Sequence, residues 1–140
     1  MIFFESFDER TETPHLTHPA LPGTIHIQKR YEKGIQFLLV MGNSVVGNLW
    51  LDGDVYYQER KYIGVKMVML NPMVRGQGYA KILYQTALAH LDDYAGICSK
   101  MSEWENKKQV PKIYKSLGAH RVRFRDEDGV SSSYQIVDTP

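Results

Sequence analysis

The chain is poor in cysteine, in net charge and in long apolar runs. Of its 140 residues only Cys98 is a cysteine. That excludes an intrachain disulfide and any Cys-rich zinc pattern. A reducing, cytoplasmic setting is the expectation. The formal net charge is +1, so no global field draws the chain to nucleic acid or to a membrane, and neither is expected as a partner. No apolar run approaches the roughly 20 residues that a membrane-spanning helix needs. The start, "MIFFESFDERTETPH", is apolar, but acidic residues interrupt it and it has no basic stretch, so it makes a poor signal peptide. His15, His18, His26, His90 and His120 show no metal-ligand spacing, and no metal is expected. We see no internal repeat and no low-complexity tract. What is present is 43% hydrophobic and 24% charged residues, the make-up of one ordinary domain over 1–140.

Residues 1–23 read as irregular. Pro14, Pro19 and Pro22 break any helix, and 8–23 reads as loop. Strand signals follow. "TIHIQKR" alternates, with Ile25 and Ile27 on one face. "IQFLLVM" and "SVVGNLWL" flank Gly42-Asn43, a hairpin turn. Asp52-Gly53 predicts a further turn, with "DVYYQE" as a short strand or loop. "YIGVKMVML", Tyr62 to Leu70, is the next strand, and the first half is an antiparallel meander. From Ala80 to Tyr94 the period changes. Leu83, Ala87, Leu91 and Tyr94 share one helix face, and Gly96 is the expected stop. "ICSKM" reads as a short strand. Val110, Ile113, Tyr114 and Leu117 mark a second helix, with Lys108, Lys112 and Lys115 opposite and Gly118 ending it. "HRVRFRD" and "SSYQIV" flank Asp128-Gly129 as a closing hairpin.

The densest signal is "NPMVRGQGYAKILYQ", Asn71 to Gln85, where a strand ends in glycines and a helix starts at once. A P-loop pattern is absent, and so is the full dinucleotide fingerprint. The pattern Arg/Gln-x-x-Gly-x-Gly/Ala is satisfied by Arg75, Gly78 and Ala80. A helix N-terminus offers unpaired N–H groups and a positive dipole end, and glycines let backbone approach a phosphate. The bland alternative is a Gly-rich turn with no ligand. "VMLNPMVRGQGYAKILYQTAL" resembles the strand, turn and helix around the cofactor pyrophosphate in the GNAT superfamily of acyl-CoA-dependent N-acyltransferases. The resemblance implies an α/β (α+β) fold. Its sheet is mixed, mostly antiparallel and twisted, with a strand-turn-helix cofactor site and a C-terminal hairpin. It implies acetyl-CoA as cosubstrate, held by Val68, Met69, Leu70, Arg75, Gly76, Gln77, Gly78, Tyr79, Ala80 and Lys81.

"VPKIYKSLGA", Val110 to Ala119, resembles the family's second signature. By that resemblance Tyr114 is the general acid on the departing thiolate; a packed core tyrosine is the alternative. Ala119 stands where an aromatic is more usual. Asn106 lies eight residues before Tyr114 rather than the family's seven, and is the candidate for the cofactor-binding Asn or, equally, a helix cap. Glu59, Glu103, Glu105 and His26 are candidate bases, with Glu103 favoured because it follows the strand at 97–101. The implied reaction is transfer of an acetyl group to a primary amine of a small molecule or protein. Two alternatives stand beside it: a catalytically silent protein that keeps the fold, and an RNA- or protein-targeting module using the basic 107–125 region. The helices that wall the acceptor groove in the family are missing, since only "YEKG" separates two strands. Ile2–Phe7 is expected to dock on the domain in their place, with the following loop bordering the groove; a homodimer partner is the other source of a wall.

Overall fold

The computed structural model describes residues 15–104, 108–125 and 128–140. Its strands are β1 (His15–Leu16), β2 (Ile25–Arg30), β3 (Ile35–Met41), β4 (Ser44–Tyr57), β5 (Arg60–Leu70), β6 (Gly96–Lys100), β7 (His120–Arg125) and β8 (Ser131–Asp138). Two helices, α1 (Tyr79–Ala89) and α2 (Gln109–Ser116), interrupt them. Among the described residues the strand order is β1-β2-β3-β4-β5-β6-β8-β7. The β5–β6 pairing is parallel, while β1–β2, β2–β3, β3–β4, β6–β8 and β7–β8 are antiparallel. This is the mixed, mostly antiparallel architecture expected from the sequence. The expected docking of Ile2–Phe7 lies outside the described residues.

The chain divides into two compact units. One holds the residues up to Asp52 together with Lys66–Ala87; the other holds Gly53–Val65 and Leu88–Pro140. In the first unit, alternation along the meander sends Ile25 and Ile27 of β2, Phe37 and Leu39 of β3, and Leu49 and Leu51 of β4 inward, all buried. The helix α1 contributes Tyr79, Ile82, Leu83 and Ala87, also buried. At Gly47 the strands β4 and β5 approach closely: a Cβ there would lie 2.7 Å from Leu70 Cδ2. In the second unit, Tyr62, Cys98, Val122, Tyr134 and Ile136 form a buried cluster against which Val55, Tyr57, Ala95 and Phe124 pack. Phe124 stacks on Tyr134 with ring centroids 4.2 Å apart.

Several boundaries differ from the sequence reading. Asp52-Gly53 is no turn: β4 runs through it to Tyr57, with Gly53 taking φ 87 within the strand. The reversal comes at Gln58-Glu59, where both residues have positive φ, 51 and 65. That is the pattern of a two-residue hairpin turn, usually signalled by Asn-Gly and here hidden by its composition. The helix α1 stops at Ala89 and not at Tyr94. Asp92 and Asp93 fall where the negative end of the dipole would repel them, and aspartate favours turns. Leu91 is buried from the connecting loop, which is why the apolar period outlasts the helix. The loop expected at 8–23 contains the short strand β1. The second helix, its stop at Gly118 and the Gly42-Asn43 turn lie where expected.

Candidate functional site

The first unit carries a strand-turn-helix built by local bonds. At the end of β5 the Asn71 N–H donates to the Val46 carbonyl at 2.7 Å. The Asn71 side chain then accepts from Met73 N–H at 2.9 Å, capping a single 3-10 turn over Pro72–Val74. Pro72 suits that place because a first-turn N–H would be unpaired anyway. Val74 and Tyr79 are buried and anchor the two sides of the turn. Between them, Arg75, Gly76, Gln77 and Gly78 are exposed. Arg75 folds back, its Nε donating to the Leu70 carbonyl at 3.0 Å. Its guanidinium is thereby held beside the strand end.

Gly76 and Gly78 take φ 78 and 80, a region that other residues enter only under strain. A Cβ built on either would meet nothing within 4 Å. The turn therefore leaves open space where side chains would otherwise stand. The first helical bond runs from Ile82 N–H to the Gly78 carbonyl at 3.2 Å. The N–H groups of Tyr79, Ala80 and Lys81 precede it and have no partner within the helix. No acidic residue occupies this first turn; Lys81 belongs to it, and Arg75 precedes it in the turn. A helix start without an acidic residue, with a lysine in its first turn and with cleared backbone, is suited to an anion. The donor set fits a diphosphate.

Of the strand residues expected to hold cofactor, Val68 and Leu70 are half-buried and Met69 is exposed. The ladder between β5 and β6 registers only Tyr62–Gly64 with Gly96–Cys98. Val68, Met69 and Leu70 lie beyond it, so their backbone groups on that edge have no register partner in β6.

In the second unit Tyr114 is 1% exposed. Its ring stacks on Trp104 at 5.1 Å with an interplanar angle of 4°. The indole Nε1–H of Trp104 in turn donates to Ser99 Oγ on β6 at 2.7 Å. The chain Ser99–Trp104–Tyr114 thus fixes the tyrosine ring against the strand. The sequence reading missed Trp104; a tryptophan shortly after a strand and before a Tyr-bearing helix was the signal present. The helix α2 closes with two bonds, Gly118 N–H to Lys115 and Ala119 N–H to Tyr114, a Schellman arrangement that uses φ 76 at Gly118.

The candidate bases that are described stand on different elements. Glu103 is exposed in a 3-10 turn over Met101–Glu103. Glu59 is exposed in the β4–β5 turn. Asn106 and Glu105 lie outside the described residues. His26 accepts from Gln28 Nε2 at 3.1 Å and stacks on His15 at 3.9 Å. Burial, and then the charge of His15, push its pKa below the usual histidine value. His18 accepts from Ala20 N–H at Nδ1 and donates from Nε2 to Gln85 Oε1, which fixes one tautomer. Cys98 is buried, and desolvation pushes its thiol up to about 12. A thiol so raised is protonated near neutrality and serves as a packed core group rather than a nucleophile. Among the described residues no group of three His, Cys, Asp or Glu side chains is placed to hold a metal ion.

A family model described as "Acetyltransferase (GNAT) family" matches residues 3–119. Solved structures share the fold. The NatC complex bound to Gag peptide and CoA matches with TM-score 0.57 at 16% identity, over 75% of this chain and 71% of that one. The ribosomal-protein-S18-alanine N-acetyltransferase from Escherichia coli matches with TM-score 0.52 at 12% identity, over 86% and 72%. Arabidopsis thaliana NAA60 in complex with acetyl-CoA matches with TM-score 0.53 at 12% identity, over 79% of each chain. At such identities the likeness is one of fold. No curated protein matches in sequence.

Proposed function

Because the chain belongs to the GNAT acetyltransferase family, we propose that it transfers an acetyl group from acetyl-CoA to a primary amine. The observation that carries this reading is the turn at 75–81. Its two positive-φ glycines clear the backbone, and three helix N–H groups precede the first helical bond behind them. Acetyl-CoA supplies an acyl group activated as a thioester. The N–H groups of Tyr79, Ala80 and Lys81 bind its diphosphate, and Arg75 and Lys81 add charge. Gly76 and Gly78 let that backbone come close, and Gln77 lies between them. A backbone N–H of Met69 or Leu70 donates to the acyl oxygen as charge develops there.

An amine acceptor with a pKa near 10.4, as in lysine, must lose a proton before it attacks. Glu103, directly or through water, is the base we assign, and Asn106 is assigned to the cofactor. Tyr114 gives its proton to the leaving sulfur. A free thiol has a pKa of about 8.5, so this help is modest near neutrality. The acceptor class to test first is a protein amine, because the Escherichia coli neighbour is named for a protein substrate and the NatC complex was solved with a peptide. A second reading is a protein that binds CoA without turnover. The deep burial of Tyr114 and the exposure of Glu103 favour it.

The experiment is incubation with acetyl-CoA and a mixed set of peptides and small amines, read by mass spectrometry. A gain of one acetyl group on an amine, with release of free CoA, is the expected result. Tight CoA binding with no acetylated product from any acceptor would favour the second reading.

A further inference from the structure

The arginines Arg121, Arg123 and Arg125 take no part in the reaction above. They alternate along β7, so all three stand on one face of that strand. β7 ends the strand order of the described residues, and its register partners lie only in β8. Across from the arginines stand Gln135, Ser133 and Ser131. At these three register positions the described residues set a cation against a neutral group, and Asp128 lies in the turn beyond them. Arg121 Nη2 and Arg123 Nη1 both donate to the same Ser133 Oγ, at 3.1 and 3.0 Å. Arg125 instead donates to the Gly129 carbonyl at 3.0 Å and holds its own loop. Two guanidinium groups thus converge on one hydroxyl. Like charges drawn together in this way repel, and an anion set between them would relieve the repulsion.

We propose that the outer edge of β7 docks an extended acidic peptide segment that adds as a further strand, its carboxylates at alternate positions meeting Arg121 and Arg123. The partner's chemistry follows from two features that coincide. A terminal strand offers a row of backbone donors and acceptors for strand addition. Side chains on one face of a strand repeat every two residues, about 6.6–6.8 Å apart, so a paired strand presents its own alternate side chains at the same interval. A single-stranded RNA would use the charges but has no peptide ladder to complete the edge. A second copy of this β7 would set arginine against arginine, so the edge resists self-pairing while accepting an acidic strand.

The test uses the full chain and three probes of equal charge: a ten-residue peptide alternating Glu with Thr or Val, an isomer of the same composition with its glutamates in one block, and oligouridine RNA. Binding is read by fluorescence anisotropy, and amide hydrogen exchange is followed over residues 120–125. The alternating peptide should bind most tightly and slow exchange along β7. Arg121→Ser with Arg123→Ser should weaken it about tenfold, the scale of two lost cross-strand charge pairs. Arg121→Lys with Arg123→Lys should recover part of that loss. Equal binding of the block isomer, tighter binding of the RNA, or unchanged exchange along β7 would each overturn the proposal.

Discussion

Tyr114 has a double character. Its ring is wholly buried and stacked on Trp104, yet it is the residue we propose as the acid. Phenylalanine at this place keeps the ring and the stacking and removes only the hydroxyl. Tyr114→Phe should therefore fold normally. If the hydroxyl protonates the leaving thiolate, turnover should fall by about 10²-fold, the low end for a general acid. Single-turnover kinetics with acetyl-CoA measures this, and unchanged rates would reduce the residue to packing. Cys98 offers a contrasting case. Buried and with its thiol pushed up to about 12, it should resist iodoacetamide in the folded protein at pH 8 and react after denaturation, as mass spectrometry would show. At this scale the glycine turn and the buried place of Tyr114 on α2 were legible, because their spacing is local. The Ser99–Trp104–Tyr114 arrangement was not, because ring stacking between a turn and a helix leaves no period in the sequence.

The elements were legible wherever pattern and punctuation agreed. β2 and β3 alternate cleanly, and Gly42-Asn43 announces its turn. The helix α2 carries both an apolar face and a glycine at its C-terminal cap. Where they disagreed, the structure followed tertiary packing. Asp52-Gly53 has turn chemistry but lies inside a strand, while Gln58-Glu59 lacks it and turns. That second turn keeps two non-glycine residues at positive φ, which costs roughly 1 kcal/mol or more for each. Replacing the pair by an Asn-Gly dipeptide (Gln58→Asn with Glu59→Gly) should stabilise the protein by about 1 kcal/mol and raise the melting temperature by a few degrees. Calorimetry should show this. A lower melting temperature would mean that the Gln58 or Glu59 side chain contributes more than its backbone strain costs.

On the scale of the whole molecule, the cluster of the second unit holds two groups with raised pKa. Tyr62 is pushed up to about 12, chiefly by burial and also by its hydrogen bond to Asp138 at 2.8 Å. Cys98 is pushed to the same value by burial. Both are neutral when protonated, and both lose the proton more readily once unfolded. Their contribution is therefore complete below the unfolded values, 9.0 for the cysteine and 10.0 for the tyrosine, and is lost as pH rises from there toward about 12. Urea midpoints should fall steeply above pH 9, and Cys98→Ala should flatten the lower part of that fall. A midpoint independent of pH over this range would contradict the burial described.

Everything proposed for the reaction depends on the turn at 75–81 holding the diphosphate of acetyl-CoA. Calorimetric titration of acetyl-CoA into the wild type and into Gly78→Glu decides whether it does. Gly78 is exposed with open space around it, so the variant should keep its circular dichroism, with a modest loss of stability from its positive φ. Saturable binding is expected for the wild type and none detectable for the variant, whose carboxylate would stand where the diphosphate is held. Equal affinity of the two folded proteins would mean that the diphosphate is held elsewhere.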